Sequence, residues 1–296
     1  MKTGRYWRNL VLTLAISLLA AFLIFLVFVS DQWAQARLHP TRVIPNEKPL
    51  VESGIPFQEI ELTTKDGIVL SAWYTPPQNG VVILVAHGYN SSRDATWHLL
   101  FAKHGYGVLS WDFRAHGLSG GDMSTLGYYE QADVEAALDY VLNQPGVEHV
   151  GAWGGSMGAA TVLLTAAKRT EIEAVVSDSA FPTLEDVLAI NIPFGLMQPF
   201  VMFFGEYRSG VDMDLVRPVD GIARISPRPV FVIDGWQGGA ITMNSPYRLY
   251  DAAKEPKQIW VEDGVPHLAM YGYFPEAYEK GWWVSSMNIF WVSPHK

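Results

Sequence analysis

Ser156 lies in Gly154-Gly155-Ser156-Met157-Gly158, a G-x-S-x-G pattern. A serine hydroxyl is a weak nucleophile at neutral pH, so it needs an exposed position and a base. The pattern supplies the position when it joins a strand to a helix, because the turn then lifts the hydroxyl above the sheet. An apolar run, 149–153, precedes it, and an Ala-rich run, 157–169, follows it. A helix starting there aims free N–H groups at the same spot and favours developing negative charge. The base is expected at His267, at the end of Glu262-Asp263-Gly264-Val265-Pro266-His267. That segment follows a strand-like run, 258–261, and ligand-facing loops of parallel sheets lie at strand C-terminal ends. His87-Gly88-Tyr89 follows another apolar run, 81–86. A turn there would aim the Tyr89 N–H at a substrate oxyanion, with the Met157 N–H as its partner. His87 precedes the turn and reads as structural. Asp112, Arg114 and His116 read as a local hydrogen-bonding cluster that shapes their loop. The chemistry these residues suit is acyl transfer to Ser156.

The elements needed to position them are present. Runs at 57–64 and 68–75 flank Lys65-Asp66-Gly67, a hairpin signal. Strand patterns then follow at 81–86, 107–111, 149–153, 174–177, 230–233 and 258–261. Helix patterns fall at 93–103, 129–143, 157–169, 245–254 and 275–291. Continuous apolar strands such as Val81-Val82-Ile83-Leu84-Val85 suit burial on both faces of a parallel sheet. The alternation predicts an α/β fold, a mostly parallel sheet flanked by helices. Residues 181–227 are too long for a plain connection. They are expected to form a cap over the ligand-binding edge, facing an apolar substrate or a bilayer or packed on the core, and to favour medium acyl chains.

Composition narrows the function. The chain has 296 residues, 49% hydrophobic and 17% charged, which describes an ordered globular protein. With a net charge of −9 and no basic stripe, nucleic acid is not an expected partner. The absence of cysteine removes disulfides, thiolate catalysis and Cys-based zinc sites. No metal-ligand cluster or dinucleotide fingerprint stands out, and no cofactor is expected.

Leu10 to Val29 is a run of 20 residues without a charge, Pro or Gly, long enough as a helix to cross a bilayer. Lys2, Arg5 and Arg8 precede it and Asp31 follows it. The positive-inside rule then puts the N-terminus in the cytoplasm and the rest on the outer side. Ala34-Gln35-Ala36 has the form of a signal-cleavage site, so secretion after cleavage is the competing reading; a buried core helix is a third. The expected organisation is an N-terminal transmembrane anchor over 1–30, a Pro-containing linker over 31–56 and one domain over 57–296.

Over 57–292 the chain resembles the α/β-hydrolase superfamily, and is most similar to the monoglyceride-lipase-like and serine-aminopeptidase-like hydrolases. The residues that carry the resemblance are His87-Gly88, Asp112-x-Arg114-x-His116-Gly117-x-Ser119, the Ser156 elbow, Asp178-Ser179-Ala180-Phe181, Arg228-Pro229-Val230 and His267. It implies an acyl-enzyme on Ser156 followed by hydrolysis of an ester or small amide. It also implies an acid that orients His267, in a segment that here reads Asp234-Gly235-Trp236-Gln237-Gly238, with Gly238 where the family has Asp. Asp178 is the leading substitute, with Asp234, Asp263 or no acid as alternatives. With no acid, the chain would be a catalytically impaired scaffold that binds a lipid or a protein.

Overall fold

The computed structural model describes residues 2–237 and 244–284. Gly238 and the last dozen residues of the chain lie outside them. Eight strands form one sheet: β1 (Gln58–Thr63), β2 (Val69–Thr75), β3 (Val81–Ala86), β4 (Gly107–Trp111), β5 (His149–Gly155), β6 (Ala174–Asp178), β7 (Val230–Trp236) and β8 (Lys257–Asp263). Their order is β1-β2-β4-β3-β5-β6-β7-β8. The β1–β2 hairpin is antiparallel, as is β2 with β4, and every other pair is parallel. Each predicted strand is present within a few residues.

The period-2 alternation of a strand sends successive side chains to opposite faces. Val82, Leu84 and Ala86 accordingly join one core, while Val81, Ile83 and Val85 join the other. Of the helices, α1 (Lys2–Leu38) and α2 (Lys48–Ser53) precede the sheet. Within it come α3 (Ala95–Ala102), α4 (Glu130–Leu142), α5 (Met157–Ala166), α6 (Leu184–Asn191), α7 (Gln198–Ser209) and α8 (Pro218–Gly221). The chain then runs through α9 (Ser245–Ala252), α10 (Met270–Tyr273) and α11 (Pro275–Val284). The first core takes residues of α4, α5 and α9; the second takes Leu100 and Phe101 of α3, Met270 of α10 and Tyr278 of α11. Every residue of α5 is buried. Its Ala and Gly content lets it lie close against the sheet and so fixes the height of Ser156.

The N-terminal helix differs from its expected bounds. It continues unbroken to Leu38 rather than ending near residue 30. Residues 4–25 are exposed. Beyond them Leu26, Ser30, Ala34 and Leu38, one every fourth position, are buried, which is the stripe a helix presents to a neighbour. Leu26, Ala34 and Leu38 share a core with Leu184, Leu188, Val201 and Met213. Packing therefore overrides the loop reading of residues 31–38. An extended stretch follows, tied down by Arg42, whose guanidinium donates to the carbonyls of His116 (3.3 Å), Gly117 (3.2 Å), Ser119 (2.5 Å) and Gly121 (2.6 Å).

The insertion between β6 and β7 is also smaller than expected. Its separate part is 184–216, two helices and two 3-10 turns. Ile222 and Ile225 are fully buried in the first core, so the remainder belongs to the body of the domain.

Candidate active site

Ser156 follows β5 and caps α5 with φ of 53° and ψ of −115°, a positive-φ conformation that non-Gly residues adopt only under strain. Its N–H donates to the Asp178 carbonyl at 2.8 Å, which pins the elbow to β6. Gly158 permits the turn: a Cβ there would lie 2.2 Å from the Ala86 carbonyl oxygen. Met157 is the first residue of α5, so its N–H has no intrahelical partner. The Tyr89 N–H, in the turn after β3, makes no hydrogen bond among the described residues. Its phenol donates to the Arg37 carbonyl of α1 at 2.8 Å, and Asn90 Oδ1 accepts from the Thr41 N–H at 2.9 Å. The last turn of α1 and the stretch after it thus hold the turn that carries the expected oxyanion donor.

Ser156, His267 and Tyr89 line one cavity of about 160 Å³. Its walls include Trp97, Trp153 and Leu268, with the two indoles stacked at 4.1 Å between ring centroids. Leu268 has φ of 59° and sits against Gly155 and Gly88. None of the lining residues comes from 181–227. The buried apolar residues of the insertion, among them Leu184, Leu188, Val201 and Met213, share a core with α1 instead, so none of the described walls of this cavity belongs to the expected cap.

His267 approaches because Gly235 leaves space: a Cβ there would lie 2.8 Å from Val265 Cγ1 and 2.9 Å from the Pro266 carbonyl oxygen. Burial lowers the pKa of its imidazole, which favours the neutral ring that a general base requires. Every Asp and Glu of the chain lies among the described residues. Among them, no carboxylate oxygen comes within 4.0 Å of a His267 ring nitrogen.

Asp178, the leading candidate for that contact, is engaged elsewhere. It is fully buried. Oδ2 accepts from Tyr278 Oη at 2.6 Å and Oδ1 from Ser179 Oγ at 2.8 Å. Tyr278 Oη in turn accepts from Trp153 Nε1 at 2.9 Å. The link from Asp178 to the histidine loop is indirect: the Leu268 N–H donates to Ser179 Oγ at 3.4 Å. Burial raises the Asp178 pKa to about 6, although the two hydrogen bonds oppose the rise. Asp234 ends the neighbouring strand and is also buried. Burial, and then the Asp178 charge, raise its pKa to about 7. Two buried carboxyl groups side by side resist double ionisation. Asp263 is exposed and accepts from the Gly264 N–H.

The other expected roles are legible in the geometry. His87 Nε2 accepts from the Phe113 N–H at 2.9 Å while Nδ1 donates to the Gly88 carbonyl at 2.7 Å. His116 contacts the Arg114 carbonyl and the Asn90 N–H. Arg114 is held by Asp133 and Asp66. Asp112 accepts from Leu118 N–H and pairs with Arg93 at 2.5 Å. Arg93, Trp97, Leu268 and Tyr278 carry no signal in the sequence, and Ser179 stands there only as part of Asp178-Ser179-Ala180-Phe181, without a role. Each matters through a contact made only after folding.

A family model described as alpha/beta hydrolase fold matches residues 81–216. The uncharacterized protein YqkD of Bacillus subtilis is 27% identical over 244 residues, spanning 76% of this chain and 80% of that protein. The Arabidopsis thaliana alpha/beta hydrolase domain-containing protein WAV2 is 24% identical over 291 residues, 93% of this chain and 87% of that one. Among solved structures, the Pyrococcus furiosus esterase Pf2001 is similar with a TM-score of 0.69 and 28% identity, covering 83% of this chain and 95% of the esterase.

Proposed function

Since the chain belongs to the α/β-hydrolase superfamily, we propose that it is a membrane-anchored serine hydrolase that cleaves esters or small amides through an acyl-enzyme on Ser156. The observation that carries this reading is the strained elbow of Ser156 opening into the same cavity as His267. His267 takes the hydroxyl proton as Ser156 Oγ bonds to the substrate carbonyl carbon. The Tyr89 and Met157 N–H groups receive the resulting oxyanion. Collapse breaks the bond to the leaving alcohol or amine, which His267 protonates. Water then repeats the sequence and releases the acid and the free serine. Asp178 serves as a positioning residue, acting on the histidine loop through Ser179 and the Leu268 amide.

Similarity to the Pyrococcus esterase supports ester chemistry. The apolar helix Gly4–Leu38 supports the anchor, and the basic residues before it support a cytoplasmic N-terminus. Ala34, within the cleavage-like triplet, is packed against the cap insertion, which favours the uncleaved chain over the secreted one.

Purified wild-type protein is expected to react with a fluorophosphonate probe and to turn over p-nitrophenyl acetate. Ser156→Ala should lose both activities while keeping its melting temperature. Folded wild-type protein that is inert to the probe would sink the reading. The lack of a carboxylate at His267 favours one rival, a catalytically impaired scaffold that binds a lipid or protein. Turnover that disappears in Ser156→Ala excludes that rival.

A further inference from the structure

Residues 187–205 contain nineteen consecutive uncharged positions, and a large share of their apolar surface faces outward. Phe194 and Leu196 are each 68% exposed, Phe203 57% and Tyr207 79%. Along α7, Val201, Gly205 and Ser209 are buried at every fourth position. Phe203 and Tyr207 are also four apart, on a different face, with their rings stacked at 6.3 Å. Large exposed apolar groups gathered in so short a segment mark an interaction surface. One face of α7 therefore has a partner, and the other has none among the described residues.

The partner of the buried face is α1. The two helices share a core, and Arg208 grips Asp31 with Nε and Nη2, both at 2.8 Å. Next to that contact α1 still exposes apolar residues, with Phe28 at 60% and Phe25 at 63%. They belong to the run that is long and apolar enough to cross a membrane. The outward surface of the cap therefore flanks the candidate span rather than standing apart from it.

We infer that the face formed by Phe194, Leu196, Phe203 and Tyr207 rests on the lipid bilayer that α1 enters. The inference depends on α1 being a membrane span. Phe and Leu enter the acyl boundary, and Tyr207 suits the headgroup level, where aromatic residues with a polar tip concentrate. A bilayer accounts for the missing charge across 187–205, because a charge at that depth is costly.

The chain has no cysteine, so a single one can be placed at will. Leu196→Cys, Phe203→Cys, Leu19→Cys within the apolar run and Lys254→Cys in the exposed connection after α9 would each be labelled with an environment-sensitive fluorophore. The full chain would be reconstituted into phosphatidylcholine vesicles with and without doxyl-labelled lipid. Blue-shifted emission and quenching by doxyl lipid are expected at 19, 196 and 203, with neither at 254. Quenching at 19 but not at 196 and 203 would overturn the docking surface while leaving the span intact. Blue-shifted emission at 196 and 203 without lipid quenching would assign the face to a protein neighbour and overturn it too. Absence of quenching at 19 would remove the span and the inference with it.

Discussion

Asp178→Asn separates direct from indirect use of that carboxylate. A carboxylate bonded to a catalytic imidazole is worth about 10⁴-fold in kcat when replaced by its amide. Here Asp178 reaches the histidine loop only through Ser179 Oγ and the 3.4 Å contact to the Leu268 N–H. A neutral hydrogen bond of ordinary geometry contributes about 0.5–1.5 kcal/mol, so the expected loss in kcat is roughly two- to tenfold. Stability supplies an independent reading. The Asp178 pKa is raised to about 6 from 3.8. A raised folded-state value means that stability present below pH 3.8 is lost as pH rises through about 6. At about 1.4 kcal/mol per pH unit, that loss is on the order of 3 kcal/mol. Asparagine does not ionise, so the variant should keep its stability across this window, and the neighbouring Asp234 should titrate lower without the adjacent charge. The assays are kcat on p-nitrophenyl acetate and urea denaturation at pH 5 and pH 8. A fall in kcat beyond about a thousandfold in a folded variant would refute the indirect route and make Asp178 the direct partner of His267.

Three further outcomes follow from the geometry. Gly158→Ala puts a Cβ 2.2 Å from the Ala86 carbonyl oxygen, so the elbow cannot form; expression as insoluble protein, or folded protein without probe labelling, is expected. Arg42→Ala frees the four carbonyls it holds across residues 116–121. A loss of about 1–3 kcal/mol is expected in denaturation, with a lower kcat because the same stretch of chain grips the Tyr89 turn. In wild-type protein the acid limb of kcat/KM should fall below the ordinary histidine value, because burial lowers the His267 pKa; a limb above that value would contradict a buried, unpaired base.

The sheet was readable because its determinants are local. Val81-Val82-Ile83-Leu84-Val85 has no other stable use than a strand covered on both faces, and the Gly154–Gly158 string needs the strand before it and the helix after it. What escaped depends on residues far apart in the chain. The extension of α1 to Leu38 follows from burial of Ala34 and Leu38 on a helix some 170 residues later; Pro40 and Pro45 signal a loop, but not where it begins. The partner of Asp178 is Tyr278, a hundred residues away, and nothing in the spacing joins them. The role of Gly235 is readable only once Val265 and Pro266 lie against it. An insertion was plain from the sequence but its bounds were not, and which of its apolar residues, such as Leu184, Leu188, Val201 and Met213, meet α1 is visible only in the packing.

The unbroken course of α1 has a mechanical consequence. At 1.5 Å per residue, a helix of 37 residues is a rod of about 55 Å, and a rod transmits rotation where a tether absorbs it. Its last turn is clamped to the oxyanion turn through the Arg37 carbonyl and Tyr89. In the function proposed above, with α1 as a membrane span and Tyr89 as an oxyanion donor, tilting or twisting the first half of the helix would apply torque to that turn, and the thickness of the bilayer would become an input to the catalytic geometry.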